Sequence, residues 1–282
     1  MENRFVIVRG GGDLATGTVQ ALWRAGFFVL ILEAERPSAI RRQVALSEAV
    51  YDGLARVEDV TCVRCRTDGD IQAAWQQGYV PLLIDPEGLA IGQRNPAVVV
   101  DAILAKRNLG TRKDMAPCVI ALGPGFTAGT DADYVIETQR GHNLGRILTK
   151  GAAAPNTGVP GTIAGASKER VMHSPAAGFL YGLVQIGDTV EKGQAMALLS
   201  PQKLTTPVTA ATPGIRLPAS LTGLVRGLIR DGYAVTKGFK IADIDPRQEE
   251  LKNCFTVSDK ARCLGGAVVT AILMHQSGRY TT

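Results

Sequence analysis

The stretch Gly178–Gly193, GFLYGLVQIGDTVEKG, returns as Gly223–Gly238, GLVRGLIRDGYAVTKG, at an offset of 45 residues. Gly178, Gly182, Gly187, Lys192 and Gly193 all recur in register. No other feature constrains the fold as strongly, because repeated units must build the same supersecondary element and cover one another's apolar faces. Each copy reads as two short strands around a Gly-Asp or Asp-Gly turn, which is hairpin chemistry. A β-rich domain over residues 171–247 is therefore expected.

Two such copies facing each other resemble the biotinyl/lipoyl-type barrel-sandwich. Lys203 falls between them, nine residues after Gln194, where those carriers hold a modified lysine. Its flanks, Pro201-Gln202 and Leu204, differ from the methionines of a biotin site, so a structural or binding module is expected instead of a swinging arm. Residues 248–282 read as a terminal helix packing back on the body. Ser258 suits the N-cap, and Leu264, Val268, Ala271, Ile272 and His275 recur at helical spacing. Gly265-Gly266 inside it costs helix propensity, about 1 kcal/mol each against Ala, and points to close packing on another element.

The first part of the chain has a different rhythm. Phe5-Val6-Ile7-Val8 is a strand, followed by Gly10-Gly11-Gly12-Asp13, a helical stretch through Val19, Leu22 and Trp23, and a second strand ending at Glu33. Strand, glycine turn, helix, strand, acid is the order of a dinucleotide-binding unit. Gly10 and Gly12 match the start of its fingerprint, Ala15 replaces the third glycine, and Gly17 follows. Gly12 and Glu33 lie 21 residues apart. Two readings stay open: a nucleotide site with Glu33 on the ribose, or a scaffold that keeps the tight turn without a ligand. Pro37 begins an expected helix to Tyr51, and its Arg41-Arg42 pair could meet an anion or simply face solvent. Further strands are expected at Val60–Val63, Val80–Ile84 and Cys118–Leu122, with a helix over Asp70–Gln77. The fold class is thus read as α/β: a Rossmann-like doubly wound parallel sheet over residues 1–150, a linker over 151–170, then the barrel-sandwich domain and the helix.

Between these parts runs Val119–Gly161, which combines a strand, a glycine turn and polar side chains of many kinds. Gly123-Pro124-Gly125-Phe126 offers backbone amides to an anion, or a tight turn and nothing more. Behind it come Asp131, Glu137, Arg140, His142, Arg146 and Asn156. If Glu137, Arg140 and His142 converge, the carboxylate can orient the imidazole while the guanidinium holds an anionic group. Asp131 and Asp133 suit a helix start as well as a hard cation. The three histidines, His142, His173 and His275, show no ligand spacing, so no metal is expected. No Ser/His/Asp or Cys/His triad is legible. Cys62-Val63-Arg64-Cys65 lies on an expected strand, where alternation sends the two sulfurs to opposite faces.

A chain of 282 residues with 45% hydrophobic and 20% charged residues can bury a substantial core. Its charge of +5 favours anionic small molecules or an acidic partner, and no basic run argues for nucleic acid. No apolar stretch is long enough for a transmembrane helix, and Met1-Glu2-Asn3-Arg4 does not open a signal peptide. Five cysteines without an export signal suggest reduced thiols and a cytoplasmic location.

RGGGDLATG, PSAIRR, ALGPGFTAGTD, VIETQRGHNLGR, PNTGVPG, RGLIRDGYAVTKG, KIADIDPR and SDKAR together resemble the YqeB-type family of selenium-dependent molybdenum hydroxylase system proteins, in the same order from about residue 5 to 275. The N-terminal half is similar to XdhC-type maturation factors. The resemblance implies an accessory or maturation role beside a molybdenum hydroxylase, with that enzyme as partner. Glycine turns followed by arginines at two strand ends point to an anionic nucleotide- or molybdopterin-like ligand held there by the turns with Arg140, Arg146, Arg41 and Arg42. An NAD(P)-dependent oxidoreductase and a non-catalytic scaffold for the hydroxylase are the alternatives, and a homo-oligomer is compatible with each.

Overall fold

The computed structural model describes residues 4–158, 161 and 165–278. Two compact units emerge: one of Met1–Pro37, Val44–Thr157 and Val257–Thr282, the other of Ser38–Gln43 and Gly158–Thr256. Val159, Pro160 and residues 162–164 of the expected linker lie outside the described residues.

In the first unit β1 (Phe5–Arg9), α1 (Asp13–Arg24) and β2 (Phe28–Glu33) come first. They are followed by α2 (Ala49–Asp52), β3 (Leu54–Val57), β4 (Val60–Arg64), α3 (Asp68–Gln76) and β5 (Val80–Ile84). Then come α4 (Leu89–Arg94), β6 (Val98–Asp101) and β7 (Cys118–Leu122). Short strands β8 (Thr127–Ala128), β9 (Tyr134–Ile136), β10 (Ile147–Leu148) and β11 (Gly151–Ala152) end the run. Nine strands make one sheet in the order β10-β9-β7-β6-β1-β2-β5-β4-β3. β1 is central and buried on both faces, as its unbroken apolar run requires.

The expected doubly wound parallel sheet is corrected on two counts. The sheet is mixed: β3 runs antiparallel to β4, and β10 antiparallel to β9. Only Glu58-Asp59 joins β3 to β4, and Glu58 takes a left-handed φ of 53°. A parallel crossover needs about a dozen residues, so this link can only be a hairpin. Strand–helix alternation also stops after β6. No α-helix joins β6 to β7 or β7 to β9. That half of the sheet is covered by α5 (Asp259–Gln276), whose Leu264, Val268 and Ile272 share a core with Val6, Val8, Ile120 and Ile136. The helix expected from Pro37 to Tyr51 is reduced to short 3-10 turns and α2, with Ser38–Gln43 drawn into the other unit.

The second unit holds β12 (Val171–His173), β13 (Gly178–Gly182), β14 (Thr189–Val190) and β15 (Ala195–Ser200). It continues with β16 (Ile215–Pro218), β17 (Gly223–Leu228), β18 (Tyr233–Val235) and β19 (Lys240–Asp245). They form two four-stranded antiparallel sheets, β12-β19-β17-β14 and β16-β15-β13-β18. The expected pair of hairpins in a biotinyl/lipoyl-like barrel-sandwich is corrected: the copies exchange strands. β13 of the first copy pairs with β18 of the second, and β14 with β17. The repeated glycines explain themselves in this arrangement. A Cβ on Gly178 would stand 2.6 Å from the Ser200 carbonyl oxygen, and one on its equivalent Gly223 2.4 Å from that of Asp245. Lys203 is exposed in the loop between β15 and β16. No described helix is long and apolar enough to cross a membrane.

Candidate functional site

β9 continues β7's side of the sheet and delivers Glu137 at its carboxyl end. Glu137 is 6% exposed, yet its carboxylate is satisfied: Oε1 accepts from the Gln139 N–H at 2.6 Å and Oε2 from the Ala154 N–H at 2.7 Å. Its own N–H donates to the Arg146 carbonyl, and its carbonyl accepts from Gly145. One buried acid therefore ties both ends of the Gln139–Gly145 loop and the segment at Ala154. Together they border a half-open cavity of about 260 Å³ lined by Glu137, residues 139–143 and Ala154.

The first turn of α5 completes this neighbourhood. Arg140 reaches Asp259 with two hydrogen bonds, Nη1 to Oδ2 at 2.8 Å and Nη2 to Oδ1 at 3.0 Å. Lys260 is half-buried beside them. Burial pushes its ammonium below the usual lysine range, the Arg140 charge pushes it further, and Asp13, Glu137 and Asp259 oppose both. A lysine so placed carries a larger neutral fraction than its exposed counterparts. In competitive acylation followed by mass spectrometry at mildly alkaline pH, Lys260 is expected to react ahead of Lys252 once reactivity is corrected for access; equal titration of the two would contradict the assignment.

Of the residues expected from sequence, Asp13, Glu137, Arg140 and His142 are brought to this region. Lys260 and Asp259 were missed. One signal for Lys260 was legible, since a cation in the first turn of a helix opposes the dipole and asks for a compensating partner.

The remaining expected residues serve other ends. Gly10 (φ 95°) donates to Leu32 and backs onto the Ala102 carbonyl. The Gly11 N–H donates to Glu33 Oε2 and the Ala34 N–H to Glu33 Oε1, both at 2.7 Å. Burial raises the Glu33 carboxyl above the ordinary range, opposed by those two bonds. Gly12 caps α1, and Gly17 lies against Ala261 of α5. Gly123 and Gly125 meet Thr138 and the Arg107 backbone, and the second glycine turn is explained by those approaches. Asp131 accepts from the Thr127 N–H and closes a turn. Arg146 and Asn156 are exposed. Arg41 and Arg42 belong to the second unit, where they donate to the carbonyls of Asn253 and Thr256 and of Leu228. Cys62 and Cys65 are buried in cores on opposite faces of the sheet, and burial raises both thiols.

No protein-family model matches the chain. Uncharacterized protein YqeB of Escherichia coli (strain K12) is 46% identical over 281 residues, which are 99% of this chain and 49% of that protein. Among solved structures, the product-bound ectoine utilization protein EutE (DoeB) from Ruegeria pomeroyi is 14% identical with a TM-score of 0.25, over 86% of this chain and 57% of that one. A succinylglutamate desuccinylase from Silicibacter sp. TM1040 is 12% identical with a TM-score of 0.26, over 86% and 84%. An aspartoacylase family protein from Mesorhizobium loti is 13% identical with a TM-score of 0.28, over 86% and 85%. Scores this low carry no argument about fold or activity here.

The geometry corrects the expected function. The curated relative named above carries no activity in its name. The accessory role is withdrawn, with the oxidoreductase and scaffold alternatives. Glu33 is engaged by its own turn, and Arg41 and Arg42 donate to the carbonyls of Asn253, Thr256 and Leu228. The chain spans about half the length of the curated relative it matches, and over that span it is a homologue of YqeB.

Proposed function

We propose that the chain binds a compact metabolite carrying a carboxylate in the cavity formed by Glu137 and the 139–143 loop. Arg140 in the cavity lining, beside the buried Glu137 carboxylate and with the half-buried Lys260 within electrostatic range of both, supports this reading. Arg140 offers a planar fork suited to a carboxylate. The Arg140–Asp259 pair is exposed, and such pairs contribute about 0–1 kcal/mol, so an incoming carboxylate can replace Asp259 at little cost. A cavity of about 260 Å³ lies below the roughly 300–1,000 Å³ of drug-sized sites, which argues for a small acid over a dinucleotide or pterin nucleotide. His142 and Asn143 supply further polar contacts on the lip. The five free cysteines, four of them buried, support a cytoplasmic setting.

Calorimetry against small mono- and dicarboxylates and amino acids tests the proposal. At least one is expected to bind, with Arg140→Ala weakening it about tenfold or more, as befits loss of a charge-assisted pair. Absence of heat and of any thermal shift across the panel at millimolar ligand would remove it.

A further inference from the structure

We infer that Cys118, Asp133 and His275 form a binding site for one divalent transition-metal ion of the zinc class. The Cys118 sulfur, an Asp133 carboxylate oxygen and a His275 ring nitrogen all lie within 4.8 Å of one another. With zinc bonds of about 2.0–2.3 Å, ligand atoms around one tetrahedral ion stand roughly 3.3–3.8 Å apart. Closing the difference takes a movement of about 1 Å, within the reach of a histidine rotamer in the last turn of a helix. The donor set is chemically selective: thiolate and imidazole together favour zinc over magnesium or calcium. One thiolate and one carboxylate also balance the charge of a divalent ion, which matters at a site whose sulfur is buried.

The surroundings hold these ligands as a metal site requires. Asp133 Oδ2 accepts from the Val119 N–H at 2.8 Å, and the Asp133 N–H donates to the Val119 carbonyl at 2.9 Å, so the carboxylate is pinned to β7. Lys113 Nζ stands 3.4 Å from Oδ1 on a half-exposed side chain that can swing toward solvent. Tyr134 meets the His275 ring edge-on, with centroids 6.0 Å apart, and sets its plane. Outer contacts of this kind orient ligands and tune affinity. Three protein ligands leave a fourth position for water or an added group, the pattern of an open zinc site.

This site is separate from the Glu137 cavity. Cys118 begins β7 and Asp133 precedes β9, whereas Glu137 follows β9. Lys260 and His275 lie at opposite ends of α5, roughly 22 Å apart along the axis. Failure of carboxylate binding would leave the metal inference standing, and the reverse also holds.

The test uses the full chain, stripped with a chelator and titrated with Co²⁺. One ion per chain is expected, with a near-ultraviolet thiolate-to-cobalt charge-transfer band that Zn²⁺ abolishes on displacement. Cys118→Ser should remove the band while leaving the other four thiols in place. His275→Ala, at a half-exposed position near the helix end, should weaken binding by more than about a hundredfold, since even outer-shell changes cost about 10–100-fold. If Cys118→Ser fails to fold, the band in the native chain together with His275→Ala and Asp133→Asn decides the matter. Cobalt binding without a thiolate band, no stoichiometric binding, or unchanged affinity in His275→Ala would each overturn the inference.

Discussion

Gly17→Ala and Gly265→Ala should each destabilise the protein by about 2–3 kcal/mol, while Gly266→Ala, one residue away, should stabilise it by about 1 kcal/mol. The contrast follows from where α1 and α5 touch. A Cβ on Gly17 would stand 2.4 Å from the Ala261 carbonyl oxygen, and one on Gly265 would stand 2.4 Å from the Gly17 carbonyl oxygen. These are backbone atoms of regular helices, so relief requires the helices to part. Parting them opens the core that Val19 and Leu22 share with Leu264 and Val268. The helix-propensity gain of Ala over Gly, about 1 kcal/mol, is outweighed at the two contact glycines. At Gly266 nothing lies within 4 Å and the residue is exposed, so only the gain remains. Denaturant midpoints with unchanged slopes measure all three. A Gly17→Ala variant as stable as the native chain would mean the helices are not in backbone contact.

Arg9→Met should cost about 3–5 kcal/mol at neutral pH, because it strands a buried acid. Arg9 and Asp101 are 3% and 2% exposed, with Nη1 3.7 Å from Oδ2. Thr111 bridges them, accepting from Arg9 and donating to Asp101, and Arg9 also donates to the carbonyls of Pro86 and Leu109. Burial raises the Asp101 carboxyl above the usual range despite Thr111, the Ile103 N–H and Arg9. A raised acid holds its proton more tightly folded than unfolded. Its stabilising contribution is therefore fully present below the unfolded value near about 4 and is lost as pH rises through the folded value. Without Arg9 the folded value rises further. The deficit of Arg9→Met should widen from pH 4 toward neutrality and narrow on acidification. A deficit that stays flat with pH would show that Asp101 does not carry the effect.

Much of the first unit was legible because its signals are local. The β1 run, the Gly10 turn, the α1 pattern and Glu33 need only neighbours in sequence, as do the Ser258 cap and the α5 spacing. Of the Gly265-Gly266 pair read as a close contact, Gly265 packs on α1 and Gly266 meets nothing, and the partner was not readable. What escaped depends on sheet order. Cys118, Asp133 and His275 meet because β9 adds beside β7 and α5 returns over both, and no spacing announces that. Arg41 and Arg42 were misassigned for a similar reason: Ile40 accepts from the Leu228 N–H, a partner far along the chain, and carries the arginines with it. The strand exchange in the repeat was hidden because a Gly-Asp turn looks the same whether its strands pair with each other or with the other copy's.

The discontinuity of the first unit has a consequence for how the protein is made. Its closing piece begins at Val257, about a hundred residues after Thr157. At about 5–20 residues per second, a ribosome needs roughly 5–20 s to bridge that interval. Throughout it, the nascent sheet lacks the helix that seals β7 and β9, and α1 displays a glycine-notched face with nothing against it. The newborn chain therefore passes through an obligatory open state, in which an apolar surface waits on translation. Chaperone demand should track elongation speed across the second unit more closely than the stability of the finished protein.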